Sequence, residues 1–264
     1  DKGRPVSAKL SNIGAPVHIG GVEKMSKSKN NGIDPQALID QYGADGVRAG
    51  MLFSSPAGND LLFDEKLVEQ GRNFSNKIWN AFRLIKGWEV DESLPCPNET
   101  AIKWFESRFN EAFAQIEDHF EKFRISDALL SVYKLVWDDF CSNYLEMIKP
   151  AYQQPIDKQT IEATVGFLER ALKVLHPFMP FLTEEIWHDL TERKEKEYLI
   201  VAEWPRKDKF DKEIISKMES ILSIVGAIRN IRNSKNIAHT KALELSIKVM
   251  SGGDYEQFMG IIRK

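Results

Sequence analysis

Apolar residues recur at intervals of three and four through most of this 264-residue chain, the period of helices that bury one face. Over residues 64–86, Leu67, Gly71, Phe74, Ile78, Phe82 and Ile85 fall within a narrow arc at about 100° per residue. The opposite arc carries Glu69, Arg72, Asn76, Asn80 and Arg83, with Trp79 at its edge. Ile102, Phe105, Phe109, Phe113, Ile116, Phe120 and Phe123 predict a long helix with an aromatic core face. Leu129, Tyr133, Val136, Phe140 and Tyr144 predict another, ended by Pro150. Residues 157–177 and a shorter segment from Met179, with Pro180 near its start, follow the same period.

The flanks read differently. Residues 1–33 are rich in Gly, Ser and Pro, which predicts loop and short strands. A short helix then follows, with Asp34 as N-cap, Pro35 at the first helical position and Gly43 past its end. A second short helix stops before Pro56, its pattern weakened by Gly46 and Gly50. After Trp204-Pro205, residues 206–236 form a charged helix with the stripe Ile214, Met218, Ile221, Ile224, Val225 and Ile228. Residues 242–250 alternate as a strand, and residues from 254 begin a further helix. The fold expected is mainly α, an antiparallel helical bundle over residues 64–205. A small α/β segment (1–63) precedes it and a short α/β segment (206–264) follows. The Phe105–Phe123 stripe, Trp137, Phe140 and Trp187 are assigned to the core, and His176 to packing or capping.

Composition narrows the functional classes. With 42% hydrophobic and 28% charged residues, the chain is an ordinary globular sequence, and its apolar runs fall far short of the roughly 18 residues that span a bilayer. A net charge of −3 excludes a uniformly basic nucleic-acid binder but leaves room for a basic stripe. Cys96 and Cys141 form no Cys-x-x-Cys pair and the histidines are scattered, so no metal site and free thiols in a reducing, cytoplasmic compartment are expected. The chain starts Asp-Lys-Gly-Arg, with neither Met nor a leader, so we expect a piece of a longer protein without a signal peptide.

The concentrated cationic chemistry lies in "VEKMSKSKNNGIDP", where Lys24, Ser26, Lys27, Ser28 and Lys29 crowd one loop. Residue types alone leave open a solvated surface loop and a loop that meets phosphate. The run Lys24-Met25-Ser26-Lys27-Ser28 matches the KMSKS signature of class I aminoacyl-tRNA synthetases, a five-position match expected by chance about once in ten thousand chains of this length. Downstream, "YGADGVRAGMLFSSPAGNDLLFDEKLVEQGRNFSNKIWNAFRL", "FCSNYLEMIKPAY" and "LHPFMPFLTEEIW" resemble the valyl-tRNA synthetase family. The resemblance covers roughly residues 22–205. "KMSKSKNNGIDPQ" by itself is more leucyl-like, so a leucyl or isoleucyl enzyme is one alternative, and a non-catalytic helical RNA-binding module is another.

The resemblance implies a ligase that activates valine with ATP and Mg2+ and transfers it to tRNA(Val). Residues 1–63 would close the catalytic core and contact the tRNA stem, residues 64–205 would bind the anticodon, and residues 206–264 would lead toward a C-terminal coiled coil. It implies ATP contact by Lys24, Met25, Ser26, Lys27 and Ser28, with Lys27 the main pyrophosphate contact and Lys24 the secondary one. His18-Ile19-Gly20-Gly21 is not the second signature, HIGH, since Gly21 replaces a histidine and the run stands too near KMSKS. The nucleotide-binding fold is therefore expected outside these residues, and the chain alone is expected to be inactive and to hold no ATP. On the bundle, the arginines, asparagines and tryptophan at Arg72, Asn76, Trp79, Asn80 and Arg83 offer phosphate forks, base-edge amides and a stacking surface. Arg229 and Arg232 form a second candidate tRNA stripe with Lys235. A monomer without membrane contact is expected.

Overall fold

The computed structural model describes residues 24–55 and 61–238 and, singly, residues 241, 244, 258 and 261. The strands expected before residue 24 and over 242–250, the His18 stretch and the helix expected from 254 lie outside this set but for those single residues. The described chain is helical almost throughout. Its one β-pairing among the described residues is two residues long, β1 (Val90–Asp91) parallel to β2 (Ile156–Asp157).

Local chemistry sets the first elements. The Asp34 carboxylate accepts from the Gln36 amide at 3.0 Å, and α1 (Pro35–Tyr42) begins on Pro35. Gly43, at φ 75°, ends it and in the same residue opens α2 (Ala44–Phe53). That backbone angle is one glycine adopts without strain. Asp64 caps α3 (Glu65–Lys86) through the Lys66 amide at 2.9 Å. The buried arc of α3 uses Val68, with Leu67 only half-buried, because α2 crosses α3 at Val68.

The crossing explains the glycines that weakened the α2 pattern. A Cβ on Gly50 would lie 2.4 Å from Val68 Cα, one on Gly46 3.0 Å from the Arg72 backbone nitrogen, and one on Gly71 2.2 Å from the Gly46 carbonyl oxygen. The two helices meet backbone to backbone. A distance this short is open only to residues without a side chain.

The bundle follows with α4 (Glu99–Glu121), α5 (Ile125–Lys134), a π-helical stretch (Leu135–Tyr144), α6 (Leu145–Ile148), α7 (Lys158–Leu175), α8 (Pro180–Leu190) and α9 (Lys212–Ser234). Phe105 sits at its centre, its ring 4.8 Å from Tyr144, 4.9 Å from Phe167 and 5.4 Å from Phe140. Phe105, Phe109, Phe113 and Ile116 are fully buried. Phe123 is not, at 84% exposed, because α4 ends at Glu121 and Phe123 turns out of the helical arc at φ 56°. Trp187 is buried, whereas Trp137 is half-buried with the Lys77 ammonium 5.3 Å from its ring centre. On α9 the buried positions are Ile215, Met218 and Ile221, while Ile214, Ile224, Val225 and Ile228 are half-buried.

Two joints hold the first helices to the bundle. Asp45 of α2 accepts the Leu182 and Phe181 amides of α8 at 2.6 and 3.4 Å, a capping role that Met179 at the N-cap cannot fill. Arg48 donates to the carbonyls of Pro177 and Phe178 at 3.1 and 3.2 Å. His176 packs as expected, its Nδ1 2.8 Å from the Thr183 hydroxyl, and burial holds its imidazole below the usual range. Among the described residues no group of histidine, cysteine and carboxylate side chains could hold a metal ion. Cys96 and Cys141 are free, and burial pushes the Cys141 thiol up to about 12.

Candidate functional site

The lysine–serine run forms a compact turn. Its residues Lys27–Lys29 make a single 3-10 turn, with the Lys29 amide donating to the Ser26 carbonyl at 3.2 Å. The Ser26 and Ser28 hydroxyls lie 2.7 Å apart. Lys24, Met25 and Ser28 are exposed, and Ser26 is half-buried. Past the turn, Asn30 takes φ 49°, which reverses the chain, and asparagine tolerates that region better than most residues. Asn31 is buried, and its carboxamide bonds back across the turn: Oδ1 accepts the Ser26 amide at 2.7 Å and Nδ2 donates to the Lys24 carbonyl at 3.3 Å. Sequence reasoning missed Asn31. The Asn-Asn-Gly triplet signals a turn, but not which of the two asparagines folds inward.

From this turn the chain runs through Gly32 and Ile33 into α1, over a small apolar cluster of Leu38, Tyr42 and Val68. That cluster and the glycine crossing pack α1, the helix that follows the lysine turn, and α2 against α3.

The polar arc of α3 divides along its length. Arg72 is tied into the α1 side, with its guanidinium 5.4 Å from the Tyr42 ring centre and Nη2 3.4 Å from Glu69 Oε1. Its Nε is buried and has no hydrogen-bond partner among the described residues. Asn76, Asn80 and Arg83 are exposed, and their side chains make no hydrogen bond or ion pair among the described residues. Trp79 is half-buried, its ring 5.3 Å from Phe82. Lys77, on the same helix, was not singled out from sequence. It lies over Trp137 at the border between α3 and the π-helical stretch.

Arg229 and Arg232 stand elsewhere. They line a cavity of about 510 Å³ between α9 and the Ser142–Ala151 region, together with Met147, Pro150, Val225 and Ile228. Arg232 donates to the Ala238 carbonyl at 3.0 Å. None of the candidate α3 residues lines this cavity, so the two arginine groups occupy separate surfaces.

Comparison with known proteins gives this arrangement its family. Residues 102–247 match the anticodon-binding domain of tRNA ligase, and residues 18–64 match the class I tRNA synthetases for I, L, M and V. The chain is 52% identical over 243 residues to a valine–tRNA ligase of Christiangramia forsetii and 53% identical over 243 residues to one of Parabacteroides distasonis. Both alignments take in 91% of this chain and 28% of the relative. A valine–tRNA ligase of Bacillus licheniformis is 39% identical over 235 residues, 85% of this chain and 26% of the relative. The chain thus spans little more than a quarter of the curated relatives it matches. Among solved structures, the LeuRS of Agrobacterium radiobacter K84 in a ternary complex with tRNA and LeuAMS is similar in fold. Its TM-score is 0.50 at 19% identity, covering 73% of this chain and 23% of that one. On the family match across residues 102–247, the chain belongs to the anticodon-binding domain family of tRNA ligases.

Proposed function

We propose that this chain is the part of a valine–tRNA ligase that closes the catalytic core with the Lys24–Ser28 turn and binds tRNA(Val) through the helical bundle. The observation that carries the reading is the complete Lys24-Met25-Ser26-Lys27-Ser28 turn, followed in the chain by helices that continue into a bundle of the anticodon-binding family. The valine assignment rests on the similarity to valine–tRNA ligases. A leucyl or isoleucyl assignment has less support, since the relatives at 39–55% identity are valine–tRNA ligases. In this reading residues 1–63 belong to the catalytic core, 64–205 to the anticodon-binding bundle and 206–264 to the start of a C-terminal segment. The protein works as a cytoplasmic monomer, and no described helix is long and apolar enough to cross a membrane.

The chemistry assigned to the turn is adenylation. A valine carboxylate oxygen bonds to the α-phosphorus of ATP, the bridging bond to the β-phosphate breaks, and pyrophosphate leaves with the electron pair. Negative charge builds on the leaving group, where Lys27, with Lys24 beside it, stabilises it more in the transition state than in the ground state. Lysine suits this as a point charge on a long stem. Met25, Ser26 and Ser28 complete the ATP-contacting turn. In the full-length ligase the ATP would be taken together with Mg2+.

The polar face of α3 is assigned to tRNA. Asn76, Asn80 and Arg83 project from a helix whose other side is anchored in the core, so packing fixes their geometry. In the full-length ligase Arg83→Ala should weaken all tRNAs alike and lower the salt slope by about one. Asn76→Ala or Asn80→Ala should mainly blunt the preference for valine anticodons, by about 1–3 kcal/mol per base-edge contact. Arg72 and Trp79 support the same face from its partly buried edge, while Arg229 and Arg232 offer a second, separate contact. Filter binding with matched and anticodon-swapped tRNAs measures both effects. Unchanged affinity and preference in all three variants would make this face plain solvated surface.

The 264-residue chain by itself should show no valine-dependent ATP–pyrophosphate exchange above background, because the turn alone supplies neither the adenine nor the valine pocket. Clear exchange by the purified chain would mean that the whole catalytic site lies within it.

A further inference from the structure

We infer that Asn31 is a positioning residue for the Lys24–Ser28 turn: its buried carboxamide clips the turn shut and sets where the two lysines begin. The inference rests on the reading of that turn as the ATP-contacting loop.

The geometry is that of a peptide group supplied by a side chain. Through one carboxamide, Asn31 satisfies a donor and an acceptor two residues apart, the Ser26 amide at 2.7 Å and the Lys24 carbonyl at 3.3 Å. The bonds bracket Met25, so the backbone on both sides of it is tied to one anchor. Lys24 carries one bonded group itself, and Lys27 follows Ser26 directly in the 3-10 turn. Asn31 is only 9% exposed, so these bonds are shielded from competition by water more than those of an exposed loop. Immediately beyond it, Gly32 and Ile33 lead to the Asp34 cap of α1. The anchor is therefore at the root of the turn, next to the first rigid helix.

Asparagine is the side chain that does this. Aspartate keeps the acceptor for the Ser26 amide and loses the donor to Lys24. Alanine loses both. With the clip gone, the turn populates other backbone conformations, and the lysines reach the transition state from a smaller fraction of them. The contact Asn31 supports is made in the transition state, so the loss falls on the rate of adenylate formation rather than on valine binding.

The test compares Asn31→Ala, Asn31→Asp and Lys27→Ala. Amide hydrogen exchange of the 264-residue chain reads the clip without any catalysis: Ser26 should lose protection in Asn31→Ala and retain it in Asn31→Asp. Pre-steady-state adenylate formation in the full-length ligase reads the function. Asn31→Ala should slow the step about tenfold with the KM for valine unchanged. Wild-type protection of Ser26 in Asn31→Ala overturns the clip. A wild-type rate in Asn31→Ala, with Lys27→Ala strongly impaired, overturns the positioning role and leaves the loop reading standing. A wild-type rate in Lys27→Ala removes the loop reading itself, and the positioning role with it.

Discussion

In the full-length ligase, Lys27→Ala should slow adenylate formation by about a hundred- to a thousandfold, the loss typical of one preorganised charge or donor aimed at a developing anion. The KM for valine should change little, because pyrophosphate becomes a leaving group only as the bond to the α-phosphate breaks. Lys24→Ala should cost less, since Lys24 is the secondary contact. Single-turnover measurement of adenylate, with valine and ATP varied separately, separates rate from binding. A Lys27→Ala enzyme that lost valine affinity and kept its rate would assign the lysine to substrate binding. Restoration of the rate by Lys27→Arg would show that charge alone suffices; we expect only partial recovery, because the planar guanidinium does not reproduce the ammonium's point charge.

The contrast between Lys27 and Asn31 shows which parts of this site were open to sequence reasoning. The run Lys24 to Ser28 was legible because five fixed positions in one order are improbable by chance. Asn31 was not, because a side chain that bonds back to its own loop is selected by the turn's backbone geometry, and Asn30 next to it is chemically identical. The division of the α3 face was hidden for a related reason. Helical period placed Arg72, Asn76, Asn80 and Arg83 on one arc, and they do share it. The pair with Glu69 is local, one turn back on α3, but only tertiary packing sets Arg72 against the Tyr42 ring while leaving Asn76, Asn80 and Arg83 in solvent.

The fold followed the same rule. Ends governed by local bonds, such as Asp34 and Gly43 around α1 or Asp64 before α3, were readable from the residues themselves. So were the stripes of large rings, as far as Phe120. Phe123 kept the period but fell past the helix end, where period no longer describes direction. The π-helical stretch was invisible because Val136, Phe140 and Tyr144, four residues apart, suit an i→i+5 winding as well as an α-helix. The β1–β2 pairing is too short to carry any alternation. Val68 and Ile215 displaced the expected Leu67 and Ile214 from the buried positions because the approach of neighbouring helices, rather than the helix's own period, chose the contact line.

Gly71→Ala should destabilise the chain by roughly 3 kcal/mol, at the upper end of what overpacking costs. In an exposed helix the same change would stabilise by about 0.5–1 kcal/mol, because glycine gives up more backbone freedom on folding. At Gly71 that gain is overwhelmed, since the new Cβ would sit 2.2 Å from the Gly46 carbonyl oxygen and 3.0 Å from its carbon, atoms of a helix backbone that cannot rotate aside. Relief requires α2 and α3 to separate. Separation loosens the hold of Asp45 on α8 and of Arg48 on the α7–α8 connection, and opens the small cluster of Leu38, Tyr42 and Val68. Gly166, inside α7, is the internal control, because a Cβ there would meet nothing within 4 Å. Gly166→Ala should therefore raise the melting temperature slightly, while Gly71→Ala should lower it by about 6–12 °C. Thermal melts followed by far-UV circular dichroism distinguish the two signs directly. If both substitutions raised the melting temperature alike, α2 and α3 would not be in backbone contact, and the joint that holds the first helices to α3 would lose its physical basis.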